Sequence, residues 1–168
     1  MTLKEKIQGN LQEALKAKEE LKTSVLRLLL SSIATKETEK RTKIWKQKSE
    51  LKTEQLESES RLAQEEVIDV ISSEIKKRRE SIELFTKGGR QNLADKEKGE
   101  LAVLQGYLPE QMPEEELKKI VKEAIAKTGA KEQKDMGRVM AELMPKVKGR
   151  ADNSLISKIV KESLIANG

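Results

Sequence analysis

PEQMPEEELKKIVKEAIAKTG, residues 109–129, states a helix from its first turn to its last. Pro113 stands at the start, where a helix loses nothing for want of an N–H. Glu114, Glu115 and Glu116 fill the first turn, where the macrodipole favours negative charge. Leu117, Ile120, Val121, Ala124 and Ile125 recur at helical spacing, and Gly129 lies just past the end. Pro109 and Pro113 stop one helix and start the next. The reading therefore divides the chain here into residues 1–108 and 109–168.

Upstream, no glycine or proline occurs from Asn10 to Lys87, and the stretch is built from strong helix formers. Thr2 and Glu5 have the spacing of a capping box for a first helix. Its face is Leu3, Ile7, Leu11, Ala14 and Leu15, with a break expected near Lys18–Thr23. A second helix carries Val25, Leu26, Leu29, Leu30 and Ile33, and Leu28 widens that stripe. From Thr35 to Gln64 the apolar face narrows. This reads as the far end of a long antiparallel hairpin, extended around residues 40–64. Val67, Ile68, Ile71, Ile75, Ile82 and Phe85 mark the next helix, which Gly88 and Gly89 end. Asn92 is the expected cap of the helix holding Leu101, Leu104 and Leu108.

Downstream, Asp135 is the expected cap of a helix with Met136, Val139, Met140, Leu143 and Met144 on one side. Asp152 or Asn153 caps the last, which buries Leu155, Ile156, Ile159, Val160 and Leu164. No strand alternation or hairpin turn competes. The fold class is all-α: a long N-terminal helical hairpin or bundle, then a small C-terminal three-helix bundle.

Composition narrows the chemistry. Hydrophobic residues make up 36% and charged residues 38%, which suits a thin bundle. Without cysteine or histidine there is no thiol nucleophile, imidazole base or His/Cys zinc site. No P-loop or dinucleotide glycine motif occurs. Catalytic residues, a metal and a cofactor are all expected to be absent. No apolar run approaches the ~20 residues that span a bilayer. The chain is expected to be cytoplasmic, with no membrane partner.

Between the last two helices lies MPKVKGRAD, residues 144–152. Much of it is connection chemistry: Pro145 is expected to stop a helix, Val147 to pack inward, Gly149 to turn and Asp152 to cap. Lys146, Lys148 and Arg150 are not needed for a turn. In an extended segment alternate residues share a side, which would align the three. Arg138 precedes them and Lys158 follows. From Ala130 onward eight cations face five acids. A phosphate-binding surface and a solvated connector both fit this pattern.

The candidate RNA-binding residues are Arg138, Lys146, Lys148, Gly149, Arg150 and Lys158. A secondary basic patch is Lys76, Lys77, Arg78 and Arg79. Four consecutive helical residues surround the axis, so that patch is not one face, and Arg79, four residues from Ile75, is the member expected to lean inward. Three aromatics far apart in sequence offer no platform for stacking successive bases.

MGRVMAELMPKVKGRADNSLISKIVKESL, residues 136–164, resembles the C-terminal signature of the YqeY-like family (GatB/YqeY domain). Residues 78–117 and LKTSVLRLLLSSI, residues 21–33, are similar to it too. Residues 43–63 depart from the family, whose connection there is shorter. The family is similar to the tail region of the B subunit of the glutamine-dependent tRNA amidotransferase. The resemblance implies an all-helical, non-catalytic module that binds tRNA or another structured RNA through phosphate and shape. The KGRA turn, Lys148–Ala151, is the matching position, with Lys146 and Arg138 at basic positions of the signature. It also carries the family's label of carbon–nitrogen ligase with glutamine as amido-N-donor, although no catalytic constellation is seen here. Two alternatives remain. One is a protein–protein adaptor using the long hairpin. The other is an accessory to an amidotransferase partner.

Overall fold

The computed structural model describes residues 1–167. Among these the secondary structure is helical throughout. The helices are α1 (Leu3–Lys16), α2 (Glu20–Gln47), α3 (Thr53–Ser60), α4 (Gln64–Lys87) and α5 (Gln91–Gln105), then α6 (Glu114–Thr128), α7 (Met136–Val147) and α8 (Asn153–Asn167). The fold class is all-α, as the sequence predicts. The chain divides into two compact units, Met1–Tyr107 and Leu108–Gly168.

In the first unit, α1 opens with the capping box its spacing predicts. The Glu5 N–H donates to Thr2 Oγ1 at 3.2 Å, and the Thr2 N–H donates to Glu5 Oε2 at 2.7 Å. The break between α1 and α2 is tight and falls at Ala17–Glu19. Lys18 adopts φ 59°, and the Glu19 N–H reaches back to the Ala14 carbonyl at 2.9 Å. This is the left-handed end that helices commonly use, with lysine where glycine is usual. α4 ends the same way with the usual residue: Gly89 has φ 69° and the Arg90 N–H bonds the Phe85 carbonyl at 2.8 Å.

Along α2, Val25, Leu26, Leu29 and Ile33 are fully buried, but Leu28 is 52% exposed. The stripe is narrower than expected because one residue turns the helix by about 100°, which carries Leu28 off the core face. Beyond Thr35, α3 runs back beside α2. Lys48 pairs with Glu59 at 3.2 Å, Arg41 Nε donates to Ser60 Oγ at 3.3 Å, and Lys40 donates to the Arg61 carbonyl at 3.0 Å. These contacts are polar, which is why the sequence there shows so little apolar periodicity. Asn92 does not cap α5. That helix starts at Gln91 with Arg90 in the cap position, so Asn92 already lies within its first turn.

The second unit is a three-helix core. Leu117, Val121, Val139, Leu143, Val147, Ile156 and Val160 are fully buried, and Met136, Met140 and Met144 pack partly buried against them. The methionine row is therefore core packing. Among the described residues no helix is long and apolar enough to cross a membrane.

Candidate nucleic-acid interface

Pro145 does not stop its helix. α7 continues through Val147, and the Lys148 N–H still reaches the Met144 carbonyl at 2.9 Å. The proline forfeits one hydrogen bond, to the carbonyl of Ala141. Ala141 is exposed, so solvent can take the place of the missing donor. Lys146 and Val147 are thus helical, and the extended segment that would align Lys146, Lys148 and Arg150 does not exist. Val147, as expected, is the fully buried anchor.

The true turn is Lys148–Ala151. Gly149 has φ 73°, a conformation that residues with a Cβ resist. This turn is clasped by the segment between the two prolines at 109 and 113. The Met112 N–H donates to the Arg150 carbonyl at 2.7 Å, and Gln111 Nε2 donates to the Gly149 carbonyl at 2.8 Å. Arg150 returns the bond, its Nε donating to the Glu110 carbonyl at 3.2 Å while its NH2 lies 3.8 Å from Glu116. Met112 is buried beneath. Sequence reasoning missed this clasp. The signal available was an apolar residue, Met112, between two prolines that need only a polar linker.

The other candidates lie apart from the clasp. Lys146 stands 3.7 Å from Glu142, which Lys127 of α6 also holds at 2.6 Å. Arg138 donates to Asp135 at 2.6 Å. Lys158 lies on the outer side of α8, 4.0 Å from Glu162. Lys148 is half-buried. The six residues therefore make a spread of cations over α7, the turn and α8, with no single cradle. Among the described residues no group of three or more His, Cys, Asp or Glu could hold a metal ion.

Asp135 stands at the cap position of α7, but its side chain makes no cap bond to that helix, contrary to expectation. Its carboxylate accepts from the Lys131 N–H at 3.0 Å, the Glu132 N–H at 3.1 Å and Arg138. The two backbone donors belong to the loop ahead of α7 and Arg138 to α7 itself, so the carboxylate ties the loop to the helix. The Lys131 N–H, then the Arg138 guanidinium and the Glu132 N–H, hold its pKa at about 2, below the ordinary 3.8. A depressed acid stabilises the fold above its unfolded value and loses that contribution as pH falls. Protection of the Lys131 and Glu132 amides, their exchange by NMR relative to the intrinsic rate at each pH, should therefore fall between pH 3.8 and about 2. Asp135→Asn should show weakened protection already above that range.

In the secondary patch Arg78, not Arg79, faces inward. Arg78 is buried, its Nε 3.2 Å from Glu100 and its NH1 3.0 Å from Glu74. Lys77 is tied to Glu74 at 2.9 Å, while Lys76 and Arg79 are exposed. Burial works to raise the Glu74 carboxyl. Hydrogen bonds from Lys77 and Arg78, the charge of Lys77 and a bond from Ser32 outweigh it, so its pKa lies below the usual value. Arg78 is thus a structural member of this patch.

The family model described as "Yqey-like protein" matches residues 44–164. The chain is also 39% identical over 97 residues to "Altered inheritance of mitochondria protein 41, mitochondrial" of Pyrenophora tritici-repentis (strain Pt-1C-BFP). The match covers 55% of this chain and 52% of that protein, so the chain spans about half the length of this relative.

Proposed function

The chain belongs to the YqeY-like family, and from that premise we propose that its second unit binds tRNA or another structured RNA without catalysing a reaction. The contacts are to phosphates, made by exposed cations of α7 and α8. One observation carries the reading. The side chains of Arg138, Lys146 and Lys158 are 61%, 46% and 69% exposed, and Lys146 and Lys158 are paired only loosely, at 3.7 and 4.0 Å. Such pairs are worth ~0–1 kcal/mol, so a phosphate can displace the carboxylate at little cost. Arg150 and Gly149 serve differently in this reading. They fix the turn against Glu110–Met112 and so hold α7 and α8 in register. The sequence likeness to the amidotransferase tail supports tRNA as the first RNA to try, and an amidotransferase as the protein partner to look for. The proposed compartment is the cytoplasm; the fungal relative's name places that protein in mitochondria.

The test is tRNA binding by the variant Arg138→Glu/Lys146→Glu/Lys158→Glu. The reading expects affinity to fall at least about tenfold and the salt slope to flatten by about one for each phosphate no longer neutralised. Helix content should stay unchanged, because all three side chains lie outside the core. Unaltered binding by this variant overturns the reading.

A further inference from the structure

Trp45 is the only tryptophan of the chain and stands 56% exposed near the end of α2. Burying an indole is among the largest apolar gains open to a side chain, yet the first unit leaves this one in water. The segment that carries it does not serve the core. The last buried residue of α2 is Ile33, and from Lys36 to Leu62 only Ser60 is buried. Trp45 lies about 18 Å beyond Ile33 along the helix axis.

The charges around it are one-sided. After Glu39, α2 carries Lys40, Arg41, Lys43 and Lys46 and no acid. Two of these turn toward the segment that runs back beside the helix. Lys40 reaches the Arg61 carbonyl and Glu66, and Arg41 reaches Ser60 and, at 3.9 Å, Glu57. Lys48, just past the helix, takes Glu59 in the same way. At about 100° per residue, Trp45, Thr42, Lys46 and Lys43 follow one another round the remaining arc, and all four are exposed. Glu39, the last acid of the helix, is held by Lys36 at 2.7 Å, and Lys43 adds only its field. Among the described residues neither Lys43 nor Lys46 has a carboxylate within ion-pair distance.

The chemistry of this arc selects its ligand. The residues three and four away from Trp45 within the last turns are Arg41, Thr42 and Lys48, and Ile44 turns the other way, half-buried. A helix that lies on a lipid surface needs a whole apolar face, and here one ring stands alone. A flat aromatic ring flanked by unpaired cations suits a nucleotide strand. Every base offers a π face to an indole, and every nucleotide brings a phosphate for a lysine. We infer that the end of α2 is a binding site for single-stranded nucleic acid, with one unpaired base stacked on Trp45 and the neighbouring phosphates held by Lys43 and Lys46. One ring takes one base, so the site needs no row of aromatics. It extends RNA binding to the first unit and does not rest on the cations of α7 and α8.

Because Trp45 is the only tryptophan, its fluorescence reads the site directly. An oligouridylate of about ten nucleotides should quench it saturably in the full chain at low salt, and the quenching should fade as salt rises. Arg138→Glu/Lys146→Glu/Lys158→Glu should leave the quenching in place, which separates this site from the one proposed on the second unit. In that background Trp45→Ala should weaken binding of a labelled oligouridylate about five- to a hundredfold, while Trp45→Phe keeps most of it. Lys43→Glu/Lys46→Glu should lower the affinity and flatten the salt slope. Helix content should not change in any of these, since the side chains are exposed. Fluorescence that the strand does not alter at low salt overturns the inference, as does quenching lost in the second-unit variant or affinity unchanged by Trp45→Ala. So does a blue-shifted emission on phosphatidylserine vesicles in place of quenching by the strand.

Discussion

Replacing Arg78 with alanine is expected to cost the first unit about 3–5 kcal/mol, the scale of leaving a buried charge without its partner. Arg78 is 7% exposed and joins Glu74 on its own helix to Glu100 on α5. Without it two carboxylates face each other out of water. Glu74 retains Lys77 and Ser32, but Glu100 is left with its charge buried. The denaturant midpoint of the Arg78→Ala protein, read by circular dichroism, should fall well below that of the parent. Arg78→Met/Glu100→Met, which removes both charges and keeps the volume, should recover most of the loss. A single variant within about 1 kcal/mol of the parent would mean that the pair is solvated.

The second large effect is expected at Val147. Asp placed at this fully buried position introduces an ionised group among Leu143, Ile156 and their neighbours. The cost is again about 3–5 kcal/mol. A unit of about sixty residues has only about 3–9 kcal/mol to lose. Val147→Asp should therefore remove about half or more of the stability of residues 108–167 at neutral pH, lowering the denaturant midpoint of their share of the helical signal. The deficit should shrink as pH falls and the new acid becomes neutral, a dependence that a merely loosened core would not show. A Val147→Asp protein as resistant to denaturant as the parent at neutral pH contradicts the packing described.

Much of the fold is legible in the sequence because its signals are local. The capping box at Thr2 and Glu5, the glutamate-rich first turn of α6 and the glycine ends at Gly89 and Gly129 each depend on a few adjacent residues. The readings that fail depend on something farther away. Pro145 reads as a stop, but a single lost bond at an exposed turn is not enough to end a helix whose next residue but one, Val147, is an anchor. Leu28 reads as core because its neighbours are, and only the packing of α2 shows which side is taken. Arg79 reads as the inward member of KKRR because it is four residues from Ile75. The carboxylates of Glu74 and Glu100 draw in Arg78 instead.

The candidate interface was legible as residue types and not as geometry. Lys146, Lys148 and Arg150 alternate in sequence, and alternation means one side only in extended backbone. Because α7 runs to Val147, Lys146 turns toward Glu142 and Arg150 toward Glu110 and Glu116. The bond from Gln111 to Gly149 joins positions 38 residues apart, and no local pattern announces it. What the sequence supplies correctly is part of the connection: Val147 is its buried anchor, Gly149 turns it and Asp152 accepts the Ser154 N–H at the start of α8.

The most direct measurement of the central claim is the affinity of the unmodified chain for tRNA over a series of salt concentrations. Binding at low salt, with the logarithm of the association constant falling linearly as the logarithm of salt rises, is the predicted result. A chain that does not bind tRNA at low salt, or whose binding is insensitive to salt, contradicts it.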